Sequence, residues 1–141
     1  WTFPDSRGFD IAYEMSKPCY ISFISALSIH GLTTQIPNCI TVAVTGRNGK
    51  TYEIPDWGKI IEFRIKPDFY NGFANYEGTL IATPEKAFSD CLLVPKAGPK
   101  SILTESVGQV NIGKVREFIK GNKQALKRLE WVVKHADKEG F

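Results

Sequence analysis

Between residues 20 and 40 the sequence reads YISFISALSIHGLTTQIPNCI, and no other stretch limits the possible folds as tightly. Ser22 is placed to cap a helix, its hydroxyl accepting from the N–H groups two or three residues on. Phe23, Ala26, Leu27 and His30 recur at helical spacing and predict one buried face, with Ile24 beside it. Gly31 stands where helices commonly end in a left-handed residue. Pro37 and Asn38 break the chain again before the β-branched run Ile40, Thr41, Val42. The stretch therefore predicts a helix, its stop, a turn and a strand entry within a small mixed domain.

A chain of 141 residues suits one domain that buries its own core. Hydrophobic residues at 43% and charged residues at 23% are the proportions of a globular protein, which sets aside disordered and fibrous classes. No apolar run reaches transmembrane length and no secretory segment opens the chain, so the expected setting is cytoplasmic, with no membrane partner. Trp1 stands first and Met15 is the only methionine, which reads as a piece of a longer protein. Cys19, Cys39 and Cys91 are odd in number and too far apart for a metal knuckle. Buried thiols in a reducing compartment are the expected state.

Upstream of the central stretch, Phe9, Ala12, Tyr13 and Ser16 predict a helix over residues 7–16, ended by Pro18. Ile11 and Met15 lie four apart on an adjacent strip. Downstream, residues 40–45 predict a strand and Asn48-Gly49 a type I′ hairpin turn. That turn would set Arg47 opposite Lys50 and Thr45 opposite Tyr52, with a return strand over 51–54 that stops at Pro55. Its tip reads as a solvated hairpin end or as a small basic site. Over residues 59–66, Ile61, Phe63 and Ile65 alternate with Glu62, Arg64 and Lys66, predicting a half-buried strand with the charged set outward. Phe69, Tyr70 and Phe73 fall in a predicted loop at 68–75, where they cover a core edge or form a binding surface. Residues 76–82 predict a further strand.

Thr83-Pro84-Glu85 combines a capping hydroxyl, a first-turn proline and a carboxylate at the positive end of the helix dipole. Ala87, Phe88, Cys91 and Leu92 make the buried stripe of the helix that follows. After a linker at 95–99, two helices are expected. The first is capped by Asn111 and carries Ile112, Val115 and Ile119. The second follows Gly121-Asn122 and buries Ala125, Leu129, Val132, Val133 and Ala136. The fold class is α+β, a small, mainly antiparallel sheet framed by helices with a helical C-terminal part. Within the single domain, residues 1–18 hold a lead-in helix, 19–94 the α+β core and 100–141 basic helices.

The chain has no G-x-S-x-G motif, no glycine-rich phosphate loop and no cluster of metal ligands, so no catalytic residue, metal or cofactor is assigned. His30 reads as a satisfied core histidine, the alternative being a Cys–His pair with one of the three cysteines. Asp90, on an apolar helix face, reads as bonded to backbone or to a basic side chain, the alternative being a functional carboxylate.

The wording Tyr20-Ile21-Ser22, Ser25-Ala26-Leu27, His30-Gly31-Leu32 and Gln35-Ile36-Pro37-Asn38 resembles the AbiEi family of antitoxins. These belong to bacterial type IV toxin–antitoxin systems, which also act in phage defence. Ile81-Ala82-Thr83-Pro84-Glu85-Lys86-Ala87, ending at Asp90, is similar to the family's other recognisable phrase. The likeness covers residues 9–94 well and the C-terminal third loosely. It implies a non-enzymatic antitoxin domain that follows a winged helix, absent from this chain, through which the whole protein represses its own operon. It implies neutralisation of a nucleotidyltransferase-like toxin without a stable complex, the partner being the toxin's target or substrate.

The resemblance also implies a degenerate PD-(D/E)xK-like core, and with it a rival reading as an unusual nuclease-like enzyme. Such a nuclease needs an acidic residue two before a lysine to hold a metal and orient water. No Asp or Glu of this chain stands two residues before a Lys. Glu85 and Lys86 are adjacent at a helix start, and Pro4-Asp5 and Pro67-Asp68 are isolated turn dipeptides.

The net charge of +3 is unevenly spread. Residues 111–141 hold eight Lys or Arg against four Asp or Glu, a net of +4, and the remainder balances at ten against eleven, a net of −1. Arg116, Lys120, Lys123, Lys127, Arg128 and Lys134 are spaced so that several share the side away from the Ala125, Leu129 and Val132 stripe. The plainer reading is a solvated face. The functional reading is an electrostatic surface for nucleic acid, either operator DNA beside the winged helix or the RNA that the toxin attacks.

Overall fold

The computed structural model describes residues 7–33, 39–54 and 58–138. The elements run α1 (Arg7–Ser16), β1 (Tyr20–Ile21), α2 (Phe23–Ile29), β2 (Cys39–Val44), β3 (Thr51–Ile54) and β4 (Gly58–Arg64). They continue with β5 (Phe73–Tyr76), β6 (Thr79–Ala82), α3 (Pro84–Leu93), α4 (Lys100–Ser106), α5 (Ile112–Phe118) and α6 (Lys123–Lys138). This is the expected α+β class. Pro37-Asn38 and Pro55 lie outside the described residues.

The strands form one sheet in the order β3-β4-β2-β1-β6-β5. Three neighbouring pairs are antiparallel, whereas β2–β4 and β1–β6 are parallel. Because side chains alternate across a strand, Ile21, Val42, Ile60 and Ile81 share one face. That face carries α1, whose Asp10 accepts from the Thr79 hydroxyl at 2.6 Å. Tyr20, Thr41, Ala43 and Phe63 share the other face, under α2 and α3. There Phe23 meets Phe63 edge-on at 5.1 Å between ring centroids. With both faces covered, the inner strand β2 is buried from Ile40 to Val44.

The helix signals hold where they are local. Thr83 caps α3, accepting from the Lys86 N–H at 3.4 Å, with Pro84 in the first turn. Asn111 caps α5 through the Lys114 N–H, and Asn122 restarts the chain by accepting from the Ala125 N–H at 3.0 Å. Gly31 takes φ +75 just past α2. Ala125, Leu129, Val132 and Ala136 are buried along α6, and Val133 is half-buried. One helix was not foreseen: α4 begins after Pro99, with no side-chain cap to announce it.

The hairpin at Asn48-Gly49 does not form. β4 inserts between β2 and β3, pairing Val44 with Arg64 and Thr51 with Ile61. β4, with Ile60 and Glu62 buried, thus lies against the buried β2, and β3, where exposed and half-buried residues alternate, is left at the edge. Neither Asn48 nor Gly49 has the positive φ that a type I′ turn needs; Gly49 is required because a Cβ there would fall 2.1 Å from the Glu62 carbonyl oxygen. The mirror-image turn lies instead at Glu77-Gly78, with φ of 53 and 93, and joins β5 to β6. Residues 76–82 are therefore a strand end, a turn and a second strand rather than one strand. Asn75 fastens this turn by accepting from the Gly78 N–H at 2.7 Å.

Candidate functional site

β1 passes into α2 within one residue. Ser22 is extended at φ −149 and Phe23, the first residue of α2 and fully buried, takes φ 60, a costly conformation for a bulky side chain. Around this bend the Ser22 N–H donates to the Thr41 carbonyl at 3.1 Å, and the Thr41 hydroxyl donates back to the Ser22 carbonyl at 2.7 Å. Ser22 is the residue before the helix, as expected, but its hydroxyl does not cap. It donates instead to Asp90 Oδ2 at 2.5 Å, and the Tyr20 hydroxyl donates to the same oxygen at 2.8 Å.

On α3, Lys86 lies one turn before Asp90, and its Nζ stands 2.9 Å from Oδ1, both side chains fully buried. The ammonium lies off the directed hydrogen-bond geometry of Oδ1, so this contact is an ion pair. The same Nζ donates to the Phe69 carbonyl at 2.5 Å and sits 5.5 Å from the centre of the Phe118 ring. Burial pushes the Asp90 carboxyl above its usual range, opposed by Lys86 and by the Ser22 and Tyr20 donors. Burial beside Asp90 drives the Tyr20 phenol far upward. Tyr20 stacks on Phe73 at 4.7 Å and meets Tyr70 edge-on at 5.2 Å, so these two aromatics cover the core rather than form a surface.

The charged set of β4, expected to face outward, is not exposed throughout. Glu62 is buried at 4% exposure, ion-paired with Arg47 at 3.3 Å and accepting from the Lys50 N–H at 3.2 Å. Arg47 also donates to the Ser16 carbonyl. The supposed basic tip is thus a half-buried clasp between the β2–β3 connection, β4 and the end of α1.

The candidate basic residues separate. Arg128 does not belong to an open cationic face: it is half-buried, and its guanidinium donates to the Cys91, Leu92 and Gly98 carbonyls at 2.8, 2.8 and 3.1 Å. Those carbonyls lie at and beyond the end of α3, where helices leave acceptors unmatched, so the fork acts as a structural cap. Lys120 lies in a cleft with Lys66, Asp68 and Glu117 on the α5 side. Arg116, Lys123 and Lys134 are exposed. Lys127 is exposed too, and lines a pocket between α4 and α6 with Lys100, Gln124 and Trp131. Lys100 Nζ lies 4.3 Å from the centre of the Trp131 ring, which also stacks on His135 at 3.7 Å. Trp131 and Lys100 escaped the sequence reading because only the packing of α4 on α6 brings them together.

His30 is satisfied, its Nε2 2.8 Å from the Ala82 carbonyl oxygen. The thiols of Cys19 and Cys91 are buried, and burial raises both, Cys19 to about 12. Cys91 donates to the Ala97 carbonyl at 3.7 Å. Among the described residues no three His, Cys, Asp or Glu side chains gather as a metal site, and no helix is long and apolar enough to cross a membrane. No protein-family model matches the chain, and no curated protein matches it either.

Proposed function

We propose that this chain is a non-catalytic antitoxin domain of the AbiEi type, working in the cytoplasm. In this reading it neutralises a nucleotidyltransferase-like toxin by acting on that toxin's nucleic-acid target rather than through a stable complex. A winged helix elsewhere in the whole protein would bind the operator. The observation that carries the reading is where the polar residues of the two recognisable phrases go. Tyr20 and Ser22 from the first bond to Asp90 at the end of the second, and Lys86 closes the same buried set. His30 from the first phrase lies against Ala82 of the second. These residues hold the domain together instead of facing a substrate, which supports a scaffold over a nuclease. In this reading a partner meets the exposed basic side of α5 and α6, at Arg116, Lys123, Lys127 and Lys134.

The test is co-expression of this chain with the nucleotidyltransferase-like toxin encoded beside it. Growth should be restored, and the purified chain with magnesium should leave plasmid and RNA uncut. Continued toxicity at matched protein levels would refute the antitoxin role. Magnesium-dependent cleavage abolished by one Asp or Glu substitution would establish the nuclease-like alternative.

A further inference from the structure

The cleft between α4 and α6 holds a pocket of about 170 Å³ that opens to solvent. Its inner lining is largely apolar, from the buried Leu103 and Val132, with the half-buried Arg128 beside them. One wall is the half-buried Trp131, and the rim carries the exposed Lys100, Lys127 and Gln124. Sites that enclose a whole small molecule run to roughly 300–1,000 Å³, so this one suits a single ring belonging to something larger. Lys123, Lys127 and Lys134 stand four and seven residues apart on the outward side of α6, a cationic line beside the pocket mouth. An aromatic wall next to a cationic track is the combination that holds single-stranded nucleic acid: phosphates follow the charges and a base takes the ring face.

We propose that this pocket receives one unpaired base of single-stranded RNA, with Trp131 as the stacking platform. Lys100 now occupies a face of the Trp131 ring as a cation–π partner. An entering base takes its place on the ring, and the displaced ammonium moves to the adjoining phosphate. A duplex, whose bases are already stacked, engages only the lysine line. The inference deepens the reading of the basic face as a nucleic-acid surface and rests on that reading for the class of polymer.

Fluorescence anisotropy of the full chain, with labelled short oligouridine and with its duplex on oligoadenosine, tests this. The single strand should bind more tightly than the duplex. Trp131→Ala should weaken the strand roughly 5- to 100-fold and leave the duplex unchanged, whereas Trp131→Tyr keeps most of the affinity. Lys123→Glu with Lys134→Glu should weaken both and flatten their salt dependence. Equal binding of strand and duplex, or an unaltered Trp131→Ala protein, would overturn the proposal. Should Trp131→Ala fail to fold, Trp131→Leu against Trp131→Tyr decides, since only the aromatic variant should retain the strand. An acidic peptide ending in Phe that binds through Trp131 while oligouridine does not would assign the pocket to a protein partner and overturn it as well. Toxin neutralisation is not read in these measurements, so failure of the pocket and failure of the antitoxin role are told apart.

Discussion

Removing the Asp90 carboxylate should be among the most damaging single changes to this fold. In Asp90→Ala the Lys86 ammonium stays fully buried with only the Phe69 carbonyl and the Phe118 ring near it, and the Tyr20 and Ser22 hydroxyls lose their acceptor. Breaking a buried ion pair from one side costs about 3–5 kcal/mol. That is a large part of the roughly 5–15 kcal/mol that holds a domain folded. With a urea slope of about 2 kcal/mol per M, the unfolding midpoint should fall by about 1.5–2.5 M.

Lys86→Met should differ in kind, because Asp90 keeps two donors and can take up a proton. Burial raises the Asp90 pKa in the folded chain, so the folded state holds that proton more firmly than the unfolded one. The associated stability is complete below the unfolded value near 3.9 and is lost as pH rises through the folded value. Without Lys86 that window extends to higher pH. Urea melts of wild type and Lys86→Met should therefore lie closer together at pH 5 than at pH 8. An Asp90→Ala cost under about 1 kcal/mol, or a Lys86→Met gap that widens toward acid, would show that the pair is not buried as described.

Glu77→Asn should stabilise by about 0.5–1 kcal/mol in thermal melts, since Asn tolerates the positive φ that Glu77 adopts at 53 and completes an Asn-Gly turn. Arg128→Met should destabilise by about 2–4 kcal/mol in urea, leaving the carbonyls beyond α3 without their fork, and Arg128→Lys should not restore it. Leu27→Ala, fully buried on α2, should cost about 2–5 kcal/mol, against about 1 kcal/mol for Thr83→Ala; the opposite ranking of midpoints would misplace the core. Reversing Lys123, Lys127 and Lys134 to Glu should leave the melting curve intact and weaken toxin neutralisation. Equal protection of cells by this variant would leave those lysines with solubility alone.

What could be read from the sequence was what neighbours in the chain decide. Thr83, Asn111 and Gly31 mark helix ends because caps act over three or four residues. Strand pairing answers to partners far away, so Asn48-Gly49 signals a hairpin that does not form, and Glu77-Gly78 makes the turn with a residue unsuited to it. Charge was ambiguous for a related reason. Glu62, Lys86 and Arg128 look like surface residues by type, and only the packing shows that each is held inside by an ion pair or by carbonyls. Asp90 was legible as an oddity, because a carboxylate on an apolar stripe needs donors, but its donors lie 68 and 70 residues away.

The two residues of β1 sit in the middle of the sheet, between strands that leave a ribosome at very different times. Its antiparallel partner Val42 follows 21 residues behind Ile21, while its parallel partner Ile81 follows 60 behind. A chain in which β1 has paired with β2 and not yet with β6 holds an open sheet edge at what will become its centre. An edge of ordinary length would invite another chain to add a strand. One of two residues offers a stray strand only two positions to pair with, so β1 itself adds few unpaired N–H and C=O groups to that edge before β6 joins it.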